Sequence, residues 1–360
     1  MNLPKGFLLS GIHCGIKKKK LDLGLIYAQE PCEVVGLFTT NANPAYSVTF
    51  CKKNINNPIK AILVNSGNAN CYSHKSGLAD TEEIASVLAK KLKVKISNIL
   101  FSSTGIIGKE LPKNKVISGL GDLIKKLDKN HNNFSQSILT TDSSAKIAKA
   151  KVGKANVLGF AKGAGMICPN MATMLGFIIT DVDLPKSFFK KIAKEAVETS
   201  FNSISVDGCM STNDTVFIAT SKKVILKNKT QIKEFGQKLG EVCIELAKMI
   251  VKDGEGASKF VEIAIKGAKS KNEAKRAGMS LANSPLFKSA LYGANANWGR
   301  IISSLGQVGI KVGEDISIKS TSLEKKEVKI TVDLKRGKSK GIVYTCDLTP
   351  EYVRINAKYS

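Results

Sequence analysis

This strongly basic chain has almost no arginine. It has 360 residues, 55 of them lysine or arginine against 30 acidic ones, for a formal net charge of +25. Only Arg276, Arg300, Arg336 and Arg354 are arginines, and the rest of the basic residues are lysine. Bidentate recognition of base edges and phosphates relies on the planar guanidinium fork. The lysines are scattered, with Lys17–Lys20 the only run of four. This composition argues against a nucleic-acid partner, although a positive surface would draw in acidic metabolites. Histidine is scarce too: His13, His74 and His131 are all there is. The eight cysteines form no CxxC pair, so the usual metal-ligand spacings are absent and no metal or cofactor is expected. The cysteines read as reduced thiols, mostly buried. If the chain carries out nucleophilic chemistry, its base is expected to be something other than histidine. No apolar run approaches the roughly 18 residues of a membrane span. The apolar stretch near Met1 is too short for a signal peptide, so no membrane partner and a cytoplasmic setting are expected. There is no long Pro/Ser linker and no fixed-period repeat.

What remains is an ordinary globular composition, 43% hydrophobic and 24% charged, in a chain long enough for one large core or two medium ones. Ala79–Leu92 reads as a helix, with Ile84, Val87, Leu88 and Leu92 on one face and acidic residues at its start. Phe188–Val197 and much of Ile232–Val251 read the same way. Strand-like runs occur at Glu33–Thr39, Ala61–Val64, Ile99–Phe101, Gly176–Thr180, Val261–Ile265 and Val328–Val332. The first half thus reads as short strands broken by turns, and the part after position 173 is similar in kind.

The most informative stretch is Lys162-Gly-Ala-Gly-Met-Ile-Cys-Pro-Asn-Met-Ala-Thr-Met-Leu175. A glycine-rich turn and a proline lead to Ala172-Thr173, and an apolar strand follows. A threonine hydroxyl is a weak nucleophile without a base beside it. Cutting the chain just before the threonine makes its own α-amine that base. With a pKa of roughly 7.7–8.0, a useful fraction of that amine is neutral near pH 7. Taken alone, the block also reads as a glycine-rich turn entering a buried strand. Ser102-Ser-Thr-Gly105 follows another strand. A hydroxyl and a glycine N–H at a tight turn there could serve a tetrahedral oxyanion, or could simply form a turn.

The central block closely resembles the processing signature of the ornithine acetyltransferase (glutamate N-acetyltransferase) family of cyclic arginine biosynthesis. Ala164 is its one departure, standing where serine is usual. Similar blocks occur throughout: Pro4–Phe7, Val64–Asn70, Ser211–Asp214, Asp253–Lys259, Tyr292–Arg300 and Ile355–Ala357. Three departures lie elsewhere. Cys209-Met210 replaces an acidic and a small polar residue, Asn295 replaces an aspartate, and the sequence ends at Ser360, one short of a family threonine.

The resemblance implies self-cleavage between Ala172 and Thr173, with Thr173 as nucleophile and Thr104 (side chain) and Gly105 (N–H) as the oxyanion hole. It implies substrate contacts from Thr140 or Thr141, Lys162, Thr173, Glu255, Asn356 and the terminal position, here Ser360. The implied fold is an α/β sandwich of mixed sheets and helices, built from an α fragment (1–172) and a β fragment (173–360) sharing a core. The fragments are expected to assemble as a heterotetramer or larger. The implied reaction moves an acetyl group from N2-acetylornithine to L-glutamate, with acetyl-CoA as a possible further donor. An N-terminal-nucleophile amidohydrolase or aminopeptidase, with water as acceptor, is the alternative. A lysine-rich binding protein without catalysis would instead remain uncut.

Overall fold

The computed structural model describes residues 3–73, 76–168 and 174–358. In chain order these form β1 (Phe7–Ile12), β2 (Leu23–Phe38), α1 (Tyr46–Asn54), β3 (Ile59–Asn68), α2 (Gly77–Leu92), β4 (Ile99–Ile106), α3 (Lys113–Lys125) and α4 (Asn132–Ser137). Next come β5 (Lys146–Val152), β6 (Ala155–Lys162), β7 (Leu175–Asp183), α5 (Lys186–Glu198), β8 (Thr215–Ile225) and α6 (Lys229–Lys252). The chain ends with β9 (Phe260–Ala268), α7 (Lys271–Ala282), α8 (Pro285–Tyr292), α9 (Gly299–Gln307), β10 (Ser317–Ser320), β11 (Glu327–Asp333), β12 (Ser339–Cys346) and α10 (Pro350–Lys358). The helices and strands read from hydrophobic spacing all appear, usually with longer ends.

There are two compact units. The first comprises Met1–Gly163, Thr173–Val197 and Ser211–Leu246, and the second Ala164–Ala172, Glu198–Met210 and Ala247–Ser360. The first holds a mixed sheet in the order β4-β3-β2-β8-β7-β6-β5, with β1 also paired to β2. Pairs β3/β4 and β7/β8 are parallel, whereas β2/β3, β2/β8 and β6/β7 are antiparallel. Parallel strands must be covered on both faces. Accordingly β7 is buried along nearly its whole length, and its first five residues, Leu175–Ile179, are an unbroken apolar run. The 16-residue β2 shifts register between Tyr27 and Cys32. Its first part pairs with β1 and β3 and its second with β8, so this irregularity joins two sections of sheet.

Phe134 of α4 sits edge-on to Phe160 of β6 (5.2 Å between ring centroids) and to Phe177 of β7 (5.6 Å). Phe177 in turn lies 6.2 Å from Phe217 of β8. These rings belong to one large core with Leu23, Leu25, Leu63 and Phe101. Residues from either side of position 172 therefore share a core.

The second unit holds a four-stranded sheet, β10-β11-β9-β12. Helix α7 packs on β9 and β12, burying Ala274, Ala277 and Leu281 with Val261, Ile263 and Val343. Ser270 caps α7 through the Glu273 N–H, and Ser284 caps α8, whose first residue is Pro285. The protein is thus an α/β sandwich of mixed sheets and helices.

Candidate active site

Thr104 and Gly105 lie inside β4 rather than in a turn after it, because the parallel ladder with β3 continues past them. Ser66 pairs with Thr104 and Gly67 with Gly105. Register then slips, and Asn68 faces both Thr104 and Ile106. Gly105 has φ +136°, and a Cβ there would collide with the Gly67 backbone, so only glycine fits. The local break in the ladder is the kind of irregularity that re-aims backbone groups at functional sites.

Lys162 is the last residue of β6, and its Nζ donates to Thr104 Oγ1 at 3.1 Å. The lysine is 3% exposed and Thr104 is also buried. An ammonium has donors and no acceptor, so the threonine oxygen must accept in this contact. The hydroxyl proton is then left for another acceptor, and the adjacent positive charge polarises the O–H bond. This is the arrangement an oxyanion donor needs.

Asp142 holds the same region together. Its Oδ1 accepts from Lys146 Nζ at 2.6 Å and from the Gly163 N–H at 2.6 Å. Its Oδ2 accepts from the Thr140 N–H at 2.9 Å and, more weakly, from Thr140 Oγ1 at 3.4 Å. One buried carboxylate thus fixes the loop bearing Thr140 to the residue after Lys162. Burial works against its charge. The charges of Lys162 and Lys146, with the Gly163 N–H, outweigh that and hold the carboxyl well below the usual carboxylate range. Thr140 and Thr141 are both half-buried and follow α4 rather than a strand; Thr140 is the one tied to Asp142.

Lys17 reaches the same loop, donating from Nζ to the Leu139 carbonyl at 2.9 Å. Burial, with the charges of Lys20 and Lys162, pushes its ammonium down to about 8 against the pull of Asp22 and Asp142. Asp142, Lys146 and Lys17 did not emerge as site residues from sequence. In a chain so rich in lysine nothing distinguishes Lys146 and Lys17 before folding.

In the second unit, Glu255 sits on the loop after α6, and its N–H donates to the Ala164 carbonyl at 2.8 Å. A Cβ at position 165 would meet the Glu255 carboxyl, so a larger residue there would require that side chain to move. Asn356 of α10 donates from Nδ2 to Glu255 Oε2 at 3.1 Å, so these two candidates are in contact. Nearby, Asp207 accepts from the N–H groups of Met166 (2.5 Å), Ile167 (2.9 Å) and Cys209 (3.1 Å). Its carboxylate thus ties the turn at Met166 and Ile167 to Cys209. Burial and the Glu255 charge raise its pKa despite those three donors.

Ala172, Thr173 and Ser360 lie outside the described residues. Among the described residues no three His, Cys, Asp or Glu side chains gather as a metal site would require, and no helix is long and apolar enough to cross a membrane.

The model of the ArgJ family matches residues 8–360. The arginine biosynthesis bifunctional protein ArgJ of Thermotoga neapolitana is 40% identical over the whole of both chains. Its namesake in Geobacter sulfurreducens is 40% identical over 99% of each. Among solved structures, an ornithine acetyltransferase from Mycobacterium tuberculosis complexed with ornithine is 28% identical, with a TM-score of 0.42 over 46% of this chain and 92% of that one. With near-complete coverage and identity at this level, the chain belongs to the ArgJ family of arginine-biosynthesis enzymes.

Proposed function

We propose that this protein transfers an acetyl group from N2-acetylornithine to L-glutamate through an acetyl ester on Thr173, after cutting itself between Ala172 and Thr173. The supporting observation is the buried Lys162 ammonium on the Thr104 hydroxyl beside Gly105, in a chain that the family model matches over residues 8–360. In processing, Thr173 Oγ attacks the Ala172 carbonyl. The peptide shifts to an ester, and water hydrolyses it to a carboxylate at Ala172 and a free amine at Thr173. In turnover that amine takes the Thr173 hydroxyl proton as the oxygen attacks the acetyl carbonyl. Thr104 O–H and Gly105 N–H receive the oxyanion, ornithine leaves, and the amine of glutamate then takes the acetyl group from the ester.

The family name of the relatives, a bifunctional protein, supports acetyl-CoA as a second acetyl donor. Thr140 or Thr141, Lys162, Thr173, Glu255 and Asn356 are the proposed substrate contacts, and Ser360 takes the terminal position. A cytoplasmic setting and assembly of paired fragments into a heterotetramer or larger belong to the same reading. Denaturing mass spectrometry of the purified protein tests it. Two chains, 1–172 and 173–360, are expected, and Thr173→Ala should give one uncut chain without transfer, whereas Thr173→Ser keeps some of both. An uncut wild type that moves acetyl at full rate would overturn the mechanism.

A further inference from the structure

Three consecutive residues ahead of and entering β8 connect the two halves of the proposed chemistry. Asn213 is buried and fully occupied. Its Nδ2 donates to the Ser103 carbonyl at 2.8 Å and the Ala69 carbonyl at 2.6 Å, and its Oδ1 accepts from Thr212 Oγ1 at 2.6 Å. Ser103 immediately precedes Thr104. Asp214, 1% exposed, accepts the Met174 N–H on Oδ1 at 3.0 Å. The Thr215 N–H donates to the Met174 carbonyl at 3.2 Å. Met174 immediately follows Thr173, so both backbone groups of the residue after the nucleophile are held, while the residue before the oxyanion threonine is held from the neighbouring side chain.

We propose that Asn213 and Asp214 form a positioning bracket that sets Thr173 at a fixed offset from the Thr104–Gly105 donors in both self-cleavage and acetyl transfer. The inference rests on the reading of Thr173 and Thr104 given above. It adds residues that touch neither substrate nor the reacting atoms and act through Ser103 and Met174.

The bracket works as a neutral device. Asp214 Oδ2 is buried without a hydrogen-bond partner among the described residues, a costly state for a charged oxygen. Burial raises the carboxyl well above its ordinary range, outweighing the Met174 N–H, the Lys162 charge and the Ser211 backbone. A protonated acid accepts on Oδ1 and carries its proton on the other oxygen. Asparagine has the same shape and the same pattern of acceptor and donor.

Rescue by that substitution is the test. Asp214→Ala should lower kcat by about 10², the order expected of a reacting group misplaced by roughly 1 Å, with KM for acetylornithine and glutamate nearly unchanged. Self-cleavage, followed by mass spectrometry, should slow with it. Asp214→Asn should recover most of both rates. Asn213→Ala, which releases the Ser103 carbonyl, should give the same split through different atoms, and it keeps the test open if Asp214→Ala does not fold. The proposal is overturned if the asparagine variant is as slow as the alanine one, since an ionised Asp214 would then be acting. It is equally overturned if either alanine variant raises KM at unchanged kcat, or lowers only the melting temperature. Failure of Thr173→Ala to block cleavage would instead remove the underlying mechanism, and is read separately.

Discussion

A hydroxyl serves an oxyanion only when its own proton is free to point there. Lys162 secures this for Thr104, because an ammonium at 3.1 Å can only donate and so occupies the oxygen without competing for the proton. Thr104→Ala should therefore reduce kcat by about 10²–10³, as loss of one oxyanion donor does, and slow self-cleavage in parallel. Lys162→Met removes the charge and the contact but keeps the bulk. If the lysine acts through Thr104, its variant loses kcat, and the double variant is no slower than Thr104→Ala alone. Steady-state kinetics on the three variants decides this. Additive losses would mean that Lys162 acts independently of Thr104. A rise in both KM values at constant kcat would place its ammonium on the carboxylate common to the two substrates.

At the scale of elements, the apolar periodicity that marked α2, α5 and α6, and the continuous runs of β3, β7 and β9, carried through to the structure because burial decides them. The end of β4 did not. Ser102-Ser-Thr-Gly has little strand preference of its own, and only the partner β3 extends the ladder to Ile106. The Asp142–Lys146 pair was equally illegible. Its residues stand four apart, which suggests an ion pair only on a helix, and here they span a loop and the first residue of β5. The pair nevertheless fixes the Thr140 loop to Gly163, with both side chains almost fully buried. Breaking a buried pair from one side costs about 3–5 kcal/mol, and Asp142→Asn should fall near the low end because it keeps an acceptor. The pH dependence fixes the sign. A depressed carboxyl contributes stability above its ordinary value near 4 and loses it as pH falls through the folded value. The stability gap between wild type and Asp142→Asn in urea should therefore be widest near pH 7 and shrink on acidification below about 4. Asp214 has the opposite sign. Its carboxyl is raised, so its contribution is fully present below the ordinary value and is lost as pH rises. Asp214→Asn should flatten the alkaline side of the same curve.

Taken as a whole, the molecule is built so that a cut at 172/173 need not unfold it. Strands β6 and β7, on opposite sides of that bond, pair antiparallel from Val157↔Thr180 to Lys162↔Leu175. Strand β2 pairs with β8 across the same divide, from Glu33↔Thr220 to Phe38↔Thr215. Leu175, Phe177, Ile179 and Phe217 from the later part of the chain are buried in one core with Leu158, Phe160 and Phe134 from the earlier part. At about 1.5–3 kcal/mol per buried large apolar side chain, those four alone supply on the order of 10 kcal/mol. The inter-strand hydrogen bonds come in addition. Neither part could satisfy its sheet edges or cover these side chains alone. The two chains of the processed protein are therefore expected to co-purify as one species through size exclusion and high salt, since salt screens charge and leaves apolar burial intact. They should separate only when denaturant melts the sheet that the two chains share. Adding separately produced 1–172 to 173–360 should restore acetyl transfer only if the chains are refolded together. Dissociation of the processed protein in salt alone would show that ion pairs, rather than the shared core, hold the two parts.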